Sequence, residues 1–160
     1  MRPVDPSRFR DVMGRFATGV SVVTASGPEG AVGMTANAIT SLSLDPLLLL
    51  VCFDRESRTL PVVRETGAFG VNILATGQEA LARVFASKAP EAEKFAGVAH
   101  SVHDGIPVLD DAHAWIGCRL RDLVAGGDHM IGIAEVHSAE AGDGAPLVWY
   151  RGAYGSLAGM

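Results

Sequence analysis

The sequence predicts a mainly β fold, an antiparallel barrel or a sandwich, with a few short helices. Apolar and β-branched runs recur from Gly19 to Arg151, are bounded by glycine, proline and aspartate, and alternate with only short helical patterns. Repeated βαβ units with a phosphate-binding glycine loop are absent, so a Rossmann domain is excluded. The 160 residues contain no internal repeat or low-complexity tract, and we expect one domain, 1–160.

A helix is predicted at the start of the chain. Asp5 can cap it, and Pro6 suits its first position. Apolar side chains then recur at helical spacing, at Phe9, Val12, Met13 and Phe16.

Three strands are predicted to follow. The β-branched run 20–24 leads to a turn at 27–30, and 31–38 can return as its partner. The run Leu47–Phe53 is continuously apolar and bounded by turn residues, which predicts a strand buried on both faces.

Helices and strands alternate in the rest of the chain. A helix is expected at about 60–65 and a strand at 68–74. Thr76-Gly77-Gln78-Glu79 has the spacing of a capping box, in which Thr76 and Glu79 satisfy helix-end amides reciprocally. A further helical turn is expected within 89–97. The last strands are predicted at about 113–124, 129–140 and 146–151, with a glycine-rich connection at 125–128.

Composition excludes several classes of protein. Thirteen Lys and Arg against eighteen Asp and Glu give a net charge of −5, which argues against nucleic-acid binding. The longest apolar run has seven residues, far short of the roughly 20 that a membrane helix needs. Hydrophobic residues make up 48% of the chain, a surplus that hints at a subunit interface.

Cysteine usage and the N-terminus favour a cytoplasmic location. Cys52 and Cys118 are far apart in sequence and lie in apolar strand-like runs, so we expect two buried free thiols. The first ten residues have no apolar core and no small-residue cleavage site, so no secretory signal is expected.

Three segments are candidates for ligand binding, each with an alternative. Segment 33–43 is dense in small, hydroxyl and amide side chains that suit a planar ligand, or it is a polar strand edge. Segment 54–59 could bind an anion at a helix N-terminus, or only cap that helix. In 126–129, His129 beside Asp128 could orient a ligand or move a proton, or the segment is only a hairpin turn.

Other candidates are weaker. His100, His103 and His113 lack the partners of a convincing metal site, so no metal is expected. Phe16, Phe69 and Trp115 are interpreted as core residues.

Taken in order, these segments resemble the short-chain flavin reductase family, the reductase components of two-component flavin-dependent monooxygenases. The resemblance extends over nearly the whole chain, and its order and spacing are more specific than any one stretch. The matching stretches are 9–20, 33–38, 41–43, 57–59, 69–74, 94–95, 127–129 and 146–154.

The resemblance implies a six-stranded antiparallel split β-barrel that binds FMN, with Greek-key connections and a few short helices, active as a homodimer. It also implies hydride transfer from NADH or NADPH to FMN or FAD, after which reduced flavin diffuses to a separate oxygenase. One alternative is a flavoenzyme of the same barrel that holds its flavin permanently and reduces another substrate. The other is a flavin- or haem-binding sensor or carrier on the same barrel, without reductase activity.

The resemblance also assigns residues. Those expected along the flavin ring are Thr35, Ala36, Asn37 and Ala38. Those expected at the ring or ribityl chain are Ser41, Cys52, Phe53 and Asp54, with Cys52 and Phe53 acting mainly through their backbone. Those expected at the phosphate are Ser57, Arg58 and Thr59, helped by Ser87 and Lys88. The nicotinamide motif is Gly127-Asp128-His129, where His129 binds and orients with Asp128, and Tyr154 lies near it.

Overall fold

The structure is a computed structural model that describes residues 2–157. Within that range the helices are α1 Pro6–Met13, α2 Thr59–Thr66, α3 Glu79–Ala86 and α4 Glu91–Lys94. The strands are β1 Thr18–Gly19, β2 Ser21–Gly27, β3 Gly30–Ala36, β4 Ile39–Leu44, β5 Leu47–Asp54, β6 Ala68–Ile73, β7 His100–His103, β8 Ile106–Leu109, β9 Ala114–Gly126, β10 His129–Ala141, β11 Leu147–Tyr150 and β12 Ala153–Ser156.

The main sheet is antiparallel and has the strand order β3-β2-β6-β9-β10-β5-β4. Strands β3 and β4 stand at its opposite edges, yet only Asn37 and Ala38 separate them in the chain. Because so short a segment reaches only about 10 Å, the sheet must curl until its edges meet. The mainly β, antiparallel prediction is confirmed, but this sheet has seven strands where six were expected.

Smaller sheets extend the barrel. Strands β1, β11 and β12 form one sheet, and β7 and β8 form a hairpin. The strands at 39–44, 100–109 and 153–156 were not predicted, since short segments rich in polar or small residues give little periodic signal.

The core lies inside the curled sheet. Its larger cluster contains Val51, Phe53, Phe69 and Val71, and the rings of Phe53 and Phe69 meet edge to face with centroids 5.5 Å apart. A second cluster beneath α3 includes Phe85. Phe69 is therefore a core residue, as predicted.

A buried amide ties three strands together. The Asn72 side chain on β6 donates to the Val22 carbonyl on β2 and to the Thr24 hydroxyl, and its oxygen accepts from the Leu109 amide on β8. Asn72 is fully buried, so these partners replace water completely.

Helix α1 forms as predicted but does not bury its apolar face. The Asp5 carboxylate accepts hydrogen bonds from the Ser7 and Arg8 amides, and Pro6 is the first helical residue. The apolar side chains of the predicted helical pattern are 48–68% exposed. They are Phe9, Val12 and Met13 in α1 and Phe16 just beyond its end. The interpretation of Phe16 as a core residue is wrong for the single chain.

Two further predictions are wrong. In Leu47–Phe53, burial alternates, because only one face of β5 meets the core. The capping box at Thr76 does not form, since α3 begins at Glu79 and the Thr76 hydroxyl donates to the Pro146 carbonyl. The helices at 60–65 and within 89–97 and the later strands lie where predicted, to within a few residues. Within 2–157, none of the helices is long and apolar enough to cross a membrane.

We expect Asn72→Ala to lower the free energy of unfolding by about 3 kcal/mol, because it leaves three buried polar groups without their partner. Urea denaturation measures this change. Asn37→Ala is the matched control, since the Asn37 side chain is exposed and its one hydrogen bond within residues 2–157 is to the Thr18 hydroxyl at 3.2 Å. Equal effects of the two substitutions would contradict the role given to Asn72.

Candidate functional site

Two cavities follow each other along strand β5 and the segment that runs from β3 to β4. Thr35 of β3 and Asp54 of β5 line the first, of about 580 Å³. Asn37, two residues after Thr35, and Cys52, two residues before Asp54, line the second, of about 1000 Å³. Because Cys52 and Asp54 are two residues apart in one strand, they lie on the same face of β5, and this face borders both cavities.

The first cavity gathers hydroxyl groups and cations from two parts of the chain. Segment 54–59 supplies one wall, and the α3–α4 connection supplies the other. The predicted phosphate residues all line it, and they are Ser57, Arg58, Thr59, Ser87 and Lys88. Gly33 lies at its base, where a Cβ atom would stand 2.7 Å from the Phe85 ring, so only glycine lets α3 approach β3 this closely.

The wall at 54–59 is shaped by local hydrogen bonds. The Asp54 carboxylate accepts from the Glu56 amide at 2.8 Å, and the Ser57 hydroxyl accepts from the Leu60 amide at 3.3 Å. This turn ends at α2, whose first amides carry the positive end of the helix dipole. Capping and anion binding are therefore compatible here, although the sequence presented them as alternatives.

Thr59 carries the clearest sign of a ligand. Thr59 is 1% exposed, and its hydroxyl oxygen has no hydrogen-bond partner among residues 2–157. A buried hydroxyl without a partner is costly, and Thr59 lines the first cavity. The residues therefore fit an anionic group such as a phosphate, whose oxygen would accept the Thr59 proton.

A network of charged side chains braces this cavity. The Arg58 guanidinium donates to the Lys88 and Ala89 carbonyls at 2.6 and 2.7 Å, and its Nε lies 3.6 Å from a Glu91 oxygen. Glu91 also binds the buried Lys94 ammonium. Neither Glu91 nor Lys94 was predicted to have a role here, although a lysine three residues after a glutamate is a weak signal of an ion pair.

The second cavity is mainly apolar. Asn37, Ala38 and Cys52 line it together with apolar side chains from the segment after α1 and from β5, β9 and β11, among them Phe16, Leu50, Ile116 and Trp149. The Ala38 carbonyl accepts from the Cys52 amide at 3.0 Å, which holds the 37–38 connection against β5. Such a cavity suits a flat apolar ligand with a polar edge.

Both cysteines are free, and they differ in setting. Cys52 is half-buried in the wall of the second cavity. Cys118 is buried in the core, and this burial raises the pKa of its thiol to about 12. The prediction of a buried free thiol therefore holds for Cys118, whereas Cys52 is only partly buried.

Besides the hairpin residues Gly127, Asp128 and His129, four predicted residues line neither cavity. Ala36 and Phe53 are buried, so only their backbones can face a ligand. Ser41 is exposed on β4 and lines neither cavity. Tyr154 packs with Trp149 at a centroid distance of 4.8 Å, beside the Arg83 guanidinium, outside both linings.

The hairpin that carries His129 contacts segment 54–59, which forms one wall of the first cavity. Gly127 and Asp128 form its two-residue turn, and Gly127 has a φ of +70°. The Asp128 carbonyl accepts from the Arg55 amide at 3.1 Å, and His129 pairs with Asp54 across β10 and β5. The structure thus brings the predicted nicotinamide motif close to the predicted flavin residues.

His129 and Asp128 form a pair at this tip. The His129 Nδ1 atom lies 2.8 Å from an Asp128 carboxylate oxygen. This hydrogen bond and the charge of the ring lower the pKa of the Asp128 carboxyl. With Nδ1 engaged, the Nε2 atom of His129 is the ring nitrogen available to a ligand.

Comparison with known proteins places this geometry among flavin reductases. A family model described as "Flavin reductase like domain" matches residues 13–158. The reductase component of a 4-nitrophenol 4-monooxygenase/4-nitrocatechol 2-monooxygenase from Rhodococcus opacus is 42% identical, over 97% of this chain and 83% of that protein. A flavin reductase from Pseudomonas putida is 38% identical, over 98% and 93%.

Solved structures show the same fold. The NADH:FAD oxidoreductase SgcE6 of Streptomyces globisporus C-1027 superposes with a TM-score of 0.90 at 34% identity, over 99% of each chain. The structural likeness therefore extends over both cavities and the His129 hairpin.

We expect Thr59→Val to raise the Tm of the ligand-free protein by a few degrees, because it removes a buried, unpartnered hydroxyl at constant shape. Differential scanning calorimetry measures this shift. Thr66→Val in the same helix is the control, since the Thr66 hydroxyl donates to the Val62 carbonyl at 2.9 Å and its loss should not raise Tm. A lower Tm for Thr59→Val would show that this hydroxyl already has a stabilising partner.

Proposed function

The chain belongs to the flavin reductase family, and we propose that its two cavities together bind one flavin nucleotide. The chain is an NAD(P)H-dependent flavin reductase. In the proposal, the first cavity holds the flavin phosphate, and the second holds the isoalloxazine ring. NADH is the proposed hydride donor, supported by the NADH:FAD activity in the name of the S. globisporus relative.

The order of the cavities is the observation that carries this proposal. A polar, cation-lined cavity with the unpartnered Thr59 hydroxyl is followed, along strand β5, by a larger apolar cavity. A flavin nucleotide has the matching sequence of groups: a phosphate, a polar ribityl chain and a flat ring with an apolar body.

Bound flavin would supply the hydride acceptor at N5, with negative charge developing at its N1–C2=O edge. The backbone of 35–38 is the proposed partner of the ring, because small side chains there let the chain approach closely. The Thr35 hydroxyl donates to the Ala82 carbonyl at 2.6 Å, so it fixes β3 against α3. Ser57, Arg58 and Thr59 are the proposed phosphate partners, with Ser87 and Lys88 opposite them.

His129 is the proposed nicotinamide-orienting residue. Asp128 engages its Nδ1 atom, which fixes the ring and leaves Nε2 for the substrate. Hydride transfer between two bound rings needs positioning more than acid–base catalysis, since reacting atoms must approach to about 3–3.5 Å. Tyr154 is proposed to border the nicotinamide site, although it lies outside both cavity linings.

A separate oxygenase is the proposed recipient of the reduced flavin. The R. opacus relative is named as a reductase component of a monooxygenase, which supports a partner of this kind. The proposal also places the chain in the cytoplasm, supported by its two free cysteines, since reduced thiols persist there.

The proposal includes a homodimer. Exposed apolar side chains lie on α1, where Met13 also lines the second cavity, and on the β4–β5 hairpin, where Leu44 is 82% exposed. A second copy of the chain would cover them. Light scattering should give twice the mass of one 16.7 kDa chain. A monomer at micromolar concentration would contradict this part of the proposal.

Nicotinamide oxidation tests the proposed function directly. We expect the purified protein to oxidise NADH, followed at the nicotinamide absorbance band, only when FMN or FAD is added. Riboflavin should be a poorer acceptor, because it cannot fill the first cavity. Flavin binding without oxidation of NADH or NADPH would instead identify a carrier, and the reductase assignment would be lost.

His129→Ala should raise the apparent KM for NADH about tenfold and leave the KM for flavin nearly unchanged, because the hairpin faces the nicotinamide. Steady-state kinetics with each substrate varied in turn measures both values. His137→Ala is the matched control on the same strand, where an exposed ring lies 3.8 Å from Glu135. A larger rise in the flavin KM would refute the assigned role.

A further inference from the structure

We propose that Glu91 keeps the flavin phosphate loosely held, by acting as a built-in counter-ion to two cations of the first cavity. The inference rests on the proposed function, since it takes the first cavity as the phosphate site. It adds a reason for flavin to leave as an exchanging substrate. Glu91 acts through Arg58 and Lys94, and is a positioning residue.

Glu91 stands behind the cavity wall and contacts both cations. One carboxylate oxygen lies 3.0 Å from the Lys94 ammonium and 3.6 Å from the Arg58 Nε. The Glu91 side chain is 14% exposed, and Lys94 is 5% exposed, so water screens the Glu91–Lys94 pair only weakly. Both Arg58 and Lys94 line the first cavity, whereas Glu91 is not among its lining residues.

The charges around the cavity balance before any ligand binds. Its lining has three cations, namely Arg58, Lys88 and Lys94, and two carboxylates, namely Asp54 and Glu56. Glu91 behind the wall makes the third carboxylate, so the formal charges cancel. A phosphate entering this site adds negative charge without a surplus of positive charge to meet it.

Binding must then depend largely on neutral donors. The Thr59 hydroxyl remains available to a phosphate, whereas the Glu91 carboxylate competes with the ligand for Lys94. Lys94 has three N–H donors, two of which go to the Gly33 carbonyl at 3.1 Å and to Glu91. Removing the Glu91 charge should turn this ammonium toward the phosphate.

Glu91 also has a mechanical role that must be separated from its charge. Its second oxygen accepts from the Gly33 amide at 2.9 Å, so Glu91 and Lys94 together grip the edge strand β3. A glutamine can keep the hydrogen bond to Gly33 while it loses the charge. A purely structural role predicts weaker binding of every flavin, and the counter-ion role predicts tighter binding of phosphate-bearing flavins alone.

The experiment measures the Kd of FMN and of riboflavin by quenching of flavin fluorescence at low ionic strength. For Glu91→Gln we expect the FMN Kd to fall about tenfold and the FMN dissociation rate to fall with it. The riboflavin Kd should stay unchanged, because riboflavin has no phosphate. High salt should reduce the difference between Glu91→Gln and the wild type.

Two further variants test whether the effect is specific to the Glu91 charge and to Lys94. Glu93→Gln is the matched control, because it removes the same charge from an exposed position of the same four-residue helix and should leave both Kd values unchanged. Lys94→Met removes the buried cation at similar length, and we expect it to weaken FMN and spare riboflavin.

Each other outcome is decisive. An unchanged FMN Kd in Glu91→Gln, or equal weakening of FMN and riboflavin, would overturn the counter-ion role. Tighter FMN binding in Glu93→Gln as well would also overturn it, since any surface charge would then suffice. Failure of the wild-type protein to bind either flavin would instead contradict the proposed function and remove the basis of the inference.

Discussion

The short connection through Asn37 and Ala38 is the constraint on which the rest of the structure depends. It joins the two edge strands of the sheet, and the Ala38 carbonyl accepts a hydrogen bond from the Cys52 amide at 3.0 Å. Closing the sheet here brings β3 beside β5 although they lie five strands apart in its order, with β2, β6, β9 and β10 between them. Both cavities lie along this closure, so the barrel geometry and the proposed flavin site have one origin.

Strand β3, which this connection positions, is hydrogen-bonded to helices α3 and α4. Its Thr35 hydroxyl binds the Ala82 carbonyl of α3, and its Gly33 backbone binds side chains of α4 at both its amide and its carbonyl. An edge strand normally leaves such groups to water or to another strand. Here the helices satisfy them, and as a result the connection that carries Ser87 and Lys88 comes to rest opposite the start of α2.

Local chemistry was predictable, and long-range contacts were not. The turn at 54–59 and the hairpin at 126–129 were predictable, because the residues that form them interact within a few positions of one another. By contrast, the role of Glu91 depends on Gly33 and Arg58, which are 58 and 33 positions away in sequence. The capping box at Thr76 failed for the same reason, since a distant carbonyl at Pro146 took the hydroxyl that local spacing assigned to the helix.

The misjudged burial of Leu47–Phe53 has a different cause. Apolar residues occur on every surface that is buried when ligands and partner chains are bound. A single chain buries only part of that surface by itself. The half-buried face of β5, which includes Leu50 and Cys52, lines the second cavity together with the exposed Phe16, which lies just after α1. This surface therefore carries more apolar side chains than the core of a single chain buries. A flat ligand and a second copy of the chain, both proposed for this surface, would bury the remaining ones.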